Sequence, residues 1–151
     1  KLQSLQYQII HQYFPNKINL HKWNKEPDYN CNLCNKTDTL KHYFYDCEIV
    51  NIFWISLKDW FNNQFQCNFN IGPLDVLLGV TNYENSTIRK ALNFLILFGK
   101  DYIKRCKYQN KKYLNVTKEH LTVEKLNYVI NGKYEEFEQE WGALFYFMHL
   151  Q

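Results

Sequence analysis

The feature that most constrains this chain is a run of 17 residues, Cys31 to Cys47, in which three cysteines and a histidine follow the pattern C-x2-C-x7-H-x4-C. A C-x2-C pair lets two thiolates converge on one ion from a tight turn. His42 and Cys47 then complete the four donors of a tetrahedral Cys3His site, a ligand set suited to structural zinc. Four protein donors leave no open position for water. The spacing of Cys31, Cys34, His42 and Cys47 therefore predicts one structural Zn2+ that supplies folding energy, not a catalytic metal. His21, Cys67 and Asp38 are the substitute ligands the sequence offers. Helical phase adds a constraint. Five residues on an α-helix advance about 500°, which would leave His42 and Cys47 about 140° apart. They cannot share a face of one unbroken helix, so a short helix capped near Asp38 or Thr39 must bend or end near Asp46.

The rest of the chain reads as all-α: a small helical domain with an embedded Cys3His zinc knuckle. Leu2, Leu5, Ile9 and Tyr13 recur at helical spacing until Pro15 ends the run. A short helix follows, with Ile18 and Trp23 on one face. Further helices are expected over 46–62, 74–78 (stopped by Gly79), 86–108 (capped by Ser86), 117–131 (capped by Thr117 and stopped by Gly132) and 134–149. The expected division is a helical segment with its knuckle over 1–62 and a helical lobe over 63–151. With 18% aromatic residues the chain is too rich in core formers for disorder. Trp54, Trp60 and Trp141 are expected in the core. So are Tyr43, Phe44 and Tyr45 and the thiols of Cys67 and Cys106. Five cysteines, an odd number, and no signal-peptide pattern argue for a reducing intracellular compartment, cytoplasmic or nuclear. No apolar run is long enough to span a membrane. Starting at Lys1 in mid-pattern, the sequence reads as a piece of a longer polypeptide.

Charge is unevenly placed. The net formal charge is only +3, yet residues 89–112 hold eight basic residues against Asp101 alone. Residues 119–140 hold six glutamates against Lys125 and Lys133. Lys100, Lys104, Lys107 and Lys111 fall at i, i+4, i+7 and i+11, one helical stripe beside the apolar stripe of Leu92, Leu95, Gly99, Ile103 and Cys106. Such a face could track a phosphate backbone, with Arg105 and Lys112 beside it and Tyr102, Tyr108 and Tyr113 available for stacking. A second basic group surrounds the knuckle: Lys17, His21, Lys22 and Lys25 before it, Lys36 and Lys41 within it. Only Arg89 and Arg105 are arginine, which disfavours sequence reading by bidentate guanidinium contacts.

The run from Leu2 through Trp60 resembles the zinc-binding segment that follows the reverse transcriptase domain in non-LTR (LINE-type) retrotransposon polyproteins. The residues that carry the likeness are Pro15-Asn-Lys-Ile-Asn-Leu-His-Lys-Trp23, Cys31, Cys34, Thr39-Leu-Lys-His42, Asp46-Cys47 and Phe53-Trp54. Leu77-Leu78-Gly79-Val80, Leu92 to Leu97 and Lys100 to Lys107 extend it more loosely. The middle spacing, seven here, varies in that family. The resemblance implies a C-terminal, non-enzymatic module that holds template RNA near the polymerase during target-primed reverse transcription. Its implied partners are RNA, with DNA second, and the reverse transcriptase domain of the same polyprotein. The alternative is a scaffold docked on that domain without touching nucleic acid. The sequence has no Asp-Asp polymerase motif, and Pro73-Leu-Asp75 lacks the further carboxylate and lysine of an endonuclease cluster.

Overall fold

Leu5 and Ile9 lie one helical turn apart and give the first helix a narrow buried stripe. The helix, α1 (Leu2–Ile10), ends where Gln12 takes a positive φ of 56°. The turn throws Tyr13 out of the helix and onto the surface, although its spacing continues the apolar pattern. The structure is a computed structural model and describes residues 2–109. After α1 come α2 (Lys17–Lys22), a π-helical turn (His42–Asp46), α3 (Glu48–Phe65), α4 (Pro73–Leu78) and α5 (Ser86–Tyr108). Among the described residues there is no β-strand, only an isolated bridge between Asn30 and Thr37. The helices expected over 117–131 and 134–149, with Trp141, lie outside the described residues.

Each helix end has a local chemical cause. Asn16 caps α2 by accepting from the Asn19 N–H at 3.3 Å, and its own amide donates to the Asp38 carbonyl at 2.7 Å. That second bond ties α2 to the knuckle loop. Asp75 closes the start of α4 by accepting from the Gly72 N–H at 2.8 Å, with Pro73 at the first helical position. Gly79 ends α4 at φ 95°, a backbone value that favours glycine. Asn85, not Ser86, caps α5, its side chain accepting from the Ile88 N–H at 3.1 Å. The Asn93 amide then holds the extended Val80 through both backbone groups, at 2.6 and 2.8 Å.

One apolar cluster runs from Leu5 on α1 to Cys106 on α5 and takes in Phe44, Val50, Phe53, Trp54, Leu57 and Phe61. The expected division at 62/63 falls inside α3, which continues to Phe65, and the cluster joins residues from both sides of it. Trp54 is its hinge point. The indole N–H donates to the Phe44 carbonyl of the π turn at 2.6 Å, while the far edge of the ring lies against α5 at Gly99. A Cβ at residue 99 would sit 2.7 Å from Trp54 Cη2 and 3.1 Å from Phe53 Cε1. Glycine therefore sets how closely α5 approaches α3. Gly99→Ala should destabilise the fold by about 1–3 kcal/mol, read as a lower denaturant midpoint. An unchanged midpoint would mean that α5 is free to back away.

Candidate metal centre

The knuckle loop is built by backbone hydrogen bonds. The Cys31 N–H donates to the Lys36 carbonyl and the Asn35 N–H to the Cys31 carbonyl, each at 2.8 Å, with Asn35 at φ 60°. This tight reversal aims Cys31 and Cys34 the same way. Thr39 Oγ1 accepts from the His42 N–H at 3.0 Å and starts the short helical stretch that presents the imidazole. The phase conflict between His42 and Cys47 is then resolved by pitch. The Cys47 N–H donates to the His42 carbonyl at 3.2 Å, an i to i+5 bond. Widening the turn brings residues five apart onto one side. Cys47 itself is extended, at φ −62° and ψ 127°, so the helix breaks one residue after the expected position.

The donor atoms of Cys31, Cys34, His42 and Cys47 all lie within 4.8 Å of one another. Cys34 Sγ is 3.2 Å from His42 Nε2 and 3.9 Å from Cys47 Sγ. Zinc–sulfur bonds of about 2.3 Å in a tetrahedron place sulfurs about 3.8 Å apart. The donor set and its spacing fit one zinc ion, and Nε2 is the histidine donor. Cys31, His42 and Cys47 are buried and Cys34 is half-buried. A hydrogen bond from Cys47 holds the Cys31 thiol well below the ordinary range against the cost of burial. The Leu33 N–H, Lys107 and His42 act in the same direction. Cys47 is pushed up, first by that same bond and then by burial.

The substitute ligands stay apart from this group. His21 Nδ1 meets the Glu26 carbonyl at 3.1 Å, and Cys67 donates to Asn62 Oδ1 at 3.4 Å. Asp38 is buried and faces Lys107, and desolvation raises its pKa despite that cation and the Lys17 N–H.

The basic stripe of α5 is not a solvent face. Lys100 is 1% exposed and donates to Gln6 Oε1 on α1. Lys107 is 8% exposed, with its ammonium 3.5 Å from both Cys31 Sγ and Asp38 Oδ1 and 4.1 Å above the Tyr43 ring. Lys104 is half-buried, 5.9 Å over Phe14, and the exposed Arg105 pairs with Asp101 at 3.1 Å. Tyr102 stacks on Phe53, leaving Tyr108 exposed. The reason is phase. With Leu92 at zero, Lys107 and Lys100 fall at about 60° and 80°, next to Ile103 and Ile96 at about 20° and 40°. They share the buried arc that the apolar residues define. Lys22 and Lys41 are exposed, the latter paired with Asp46 at 3.2 Å. Lys111, Lys112 and Tyr113 lie outside the described residues.

Sequence reasoning missed two groupings. One is the pair Lys107–Asp38 beside Cys31, for which a full helical wheel of α5 was the available signal. The other is an aromatic surface at the C-terminal ends of α1 and α2. Tyr13 and Trp23 stack at 6.4 Å with Lys25 Nζ 6.0 Å from the Trp23 ring, and Tyr7 and Tyr29 are exposed nearby in sequence.

Two outcomes follow. Cys34→Ser should weaken zinc binding by more than tenfold, measured by chelator competition at a stoichiometry of one, since a thiolate donor is lost. Binding as tight as in the parent would exclude this site. The second concerns Lys100, whose pKa burial lowers from 10.5 to about 8. Between those values the unfolded chain holds a proton that the folded chain has released, so stability rises with pH there. The span is about 3 kcal/mol. Lys100→Met removes that slope. Parallel pH–stability curves for the two proteins would refute the buried position.

Residues 1–54 match the family profile described as zinc-binding in reverse transcriptase. Comparison with curated proteins and with solved structures gives no match. No helix among the described residues is long and apolar enough to cross a membrane. Over residues 1–54 of its 151 the chain thus matches the zinc-binding domain of reverse transcriptase, and Cys31, Cys34, His42 and Cys47 form the Cys3His group of that segment.

Proposed function

We propose that this chain is the zinc-organised, nucleic-acid-holding module of a LINE-type retrotransposon polyprotein. It keeps template RNA near the reverse transcriptase domain during target-primed reverse transcription, in the cytoplasm and nucleus, and contributes no catalytic step itself. The family match over 1–54 supports the reverse transcriptase setting. The observation that carries the binding role is the surface at the C-terminal ends of α1 and α2. There Tyr13 and Trp23 stand exposed in a stack flanked by the exposed Lys22 and Lys25. Rings and cations on one surface suit an unpaired strand, because each base has a stacking face and each phosphate a charge. Arg89 is spent on the Thr81 and Tyr83 carbonyls and Arg105 on Asp101. That leaves lysine contacts and stacking, which favour recognition without a fixed sequence.

The test is fluorescence anisotropy of the zinc-loaded chain with single-stranded RNA and with a DNA duplex at two salt concentrations. Single-stranded RNA should bind more tightly, and more weakly as salt rises. Lys22→Glu with Lys25→Glu should reduce affinity at low salt by about tenfold or more and flatten the salt dependence. Unchanged affinity would remove this surface from the interface. One observation favours a second reading, docking on the polymerase domain: Ile52, Leu74 and Leu78 are all more than 60% exposed. Under it the folded chain binds neither nucleic acid but forms a complex with the polymerase domain that Leu74→Asp breaks.

A further inference from the structure

Three thiolates and a neutral imidazole around a divalent ion carry one surplus negative charge. Buried charge of that kind needs a partner. The Lys107 ammonium on α5 meets Cys31 Sγ at 3.5 Å in a position only 8% exposed. Asp38 Oδ1 at 3.5 Å and the face of Tyr43 at 4.1 Å fix its other sides. Asp38 is itself held by the Lys17 N–H at 3.1 Å, so the cation sits in a preformed socket. Residue 107 lies far outside the 1–54 segment that matches the zinc-binding family.

We propose that Lys107 is an outer-sphere positioning residue of the metal centre: its ammonium donates to Cys31 Sγ, offsets the surplus charge of the Cys3His group and fixes the direction of that sulfur. The centre is then completed by α5, and residues 31–47 alone make only its inner sphere. A plain ion pair with Asp38 is the competing role, and it predicts a loss of stability with no change at the sulfur. A lysine reaching the thiolate predicts a change in the sulfur's electron density, because a hydrogen bond to sulfur lowers its donor level.

The experiment uses the full chain loaded with cobalt(II) in place of zinc and reads the sulfur-to-metal charge-transfer absorption. Lys107→Met should move that band to lower energy, and Lys107→Arg should return it most of the way. Chelator competition on the zinc form should show affinity weakened about tenfold or more in Lys107→Met, the usual scale for an outer-shell partner. A band at the native position with affinity within twofold of the parent would overturn the proposal and leave Lys107 as a structural partner of Asp38. Should Lys107→Met fail to fold, Lys107→Gln, uncharged and one bond shorter, withdraws the ammonium from Cys31 Sγ while keeping a polar side chain. Its band shifted to lower energy supports the proposal, and its band at the native position overturns it.

Discussion

A single backbone hydrogen bond governs the geometry of the metal centre. The Cys47 N–H reaches the His42 carbonyl across five residues, and that widened turn puts an imidazole and a thiol on one side. The Phe44 carbonyl of the same turn accepts from the Trp54 indole. Trp54 in turn meets α5 where glycine allows the closest approach. A local adjustment that aligns two ligands therefore sets the seat of the core's largest ring and the height at which the long helix crosses it. Structural metal and apolar core are here one construction. Two cysteines of the Cys3His group, Cys31 and Cys47, are also members of the core cluster.

The interior of this protein carries more charge than its composition announces. Lys100 gives up solvation to reach Gln6 on α1, and Lys107 does so between a thiol and a carboxylate. Both stand on the helix whose basic residues most resembled an open phosphate-binding face. Charge counted along a sequence measures supply, and burial decides where it is spent. At Lys100 burial disfavours the charged form, whereas at Lys107 an opposing carboxylate and a sulfur provide compensation in place of water.

The metal ligands were legible because coordination chemistry leaves few alternatives at that spacing, and the break between His42 and Cys47 followed from helical phase alone. Gly79 and the residues around Ser86 marked helix ends to within a few positions, since capping is local chemistry. Two kinds of information were not local. The exit of Tyr13 from α1 depends on a positive φ at Gln12, a residue that gives no warning of it. The inward turn of Lys100 and Lys107 depends on partners 94 and 76 residues away, Gln6 and Cys31. A regular stripe of lysines reads as a surface only while the apolar arc beside it is assumed to stop short. Here that arc extends under the stripe, and the long methylene stems let the cations cross it.

The π turn also bears on how such a motif can vary in evolution. A histidine and a cysteine separated by three residues would meet on an ordinary helix, and separated by four they meet on a widened one. The interval between the last two ligands is thus tied to the pitch of the turn that joins them. The loop between Cys34 and His42 answers to no helical phase and is the natural place for the motif to lengthen.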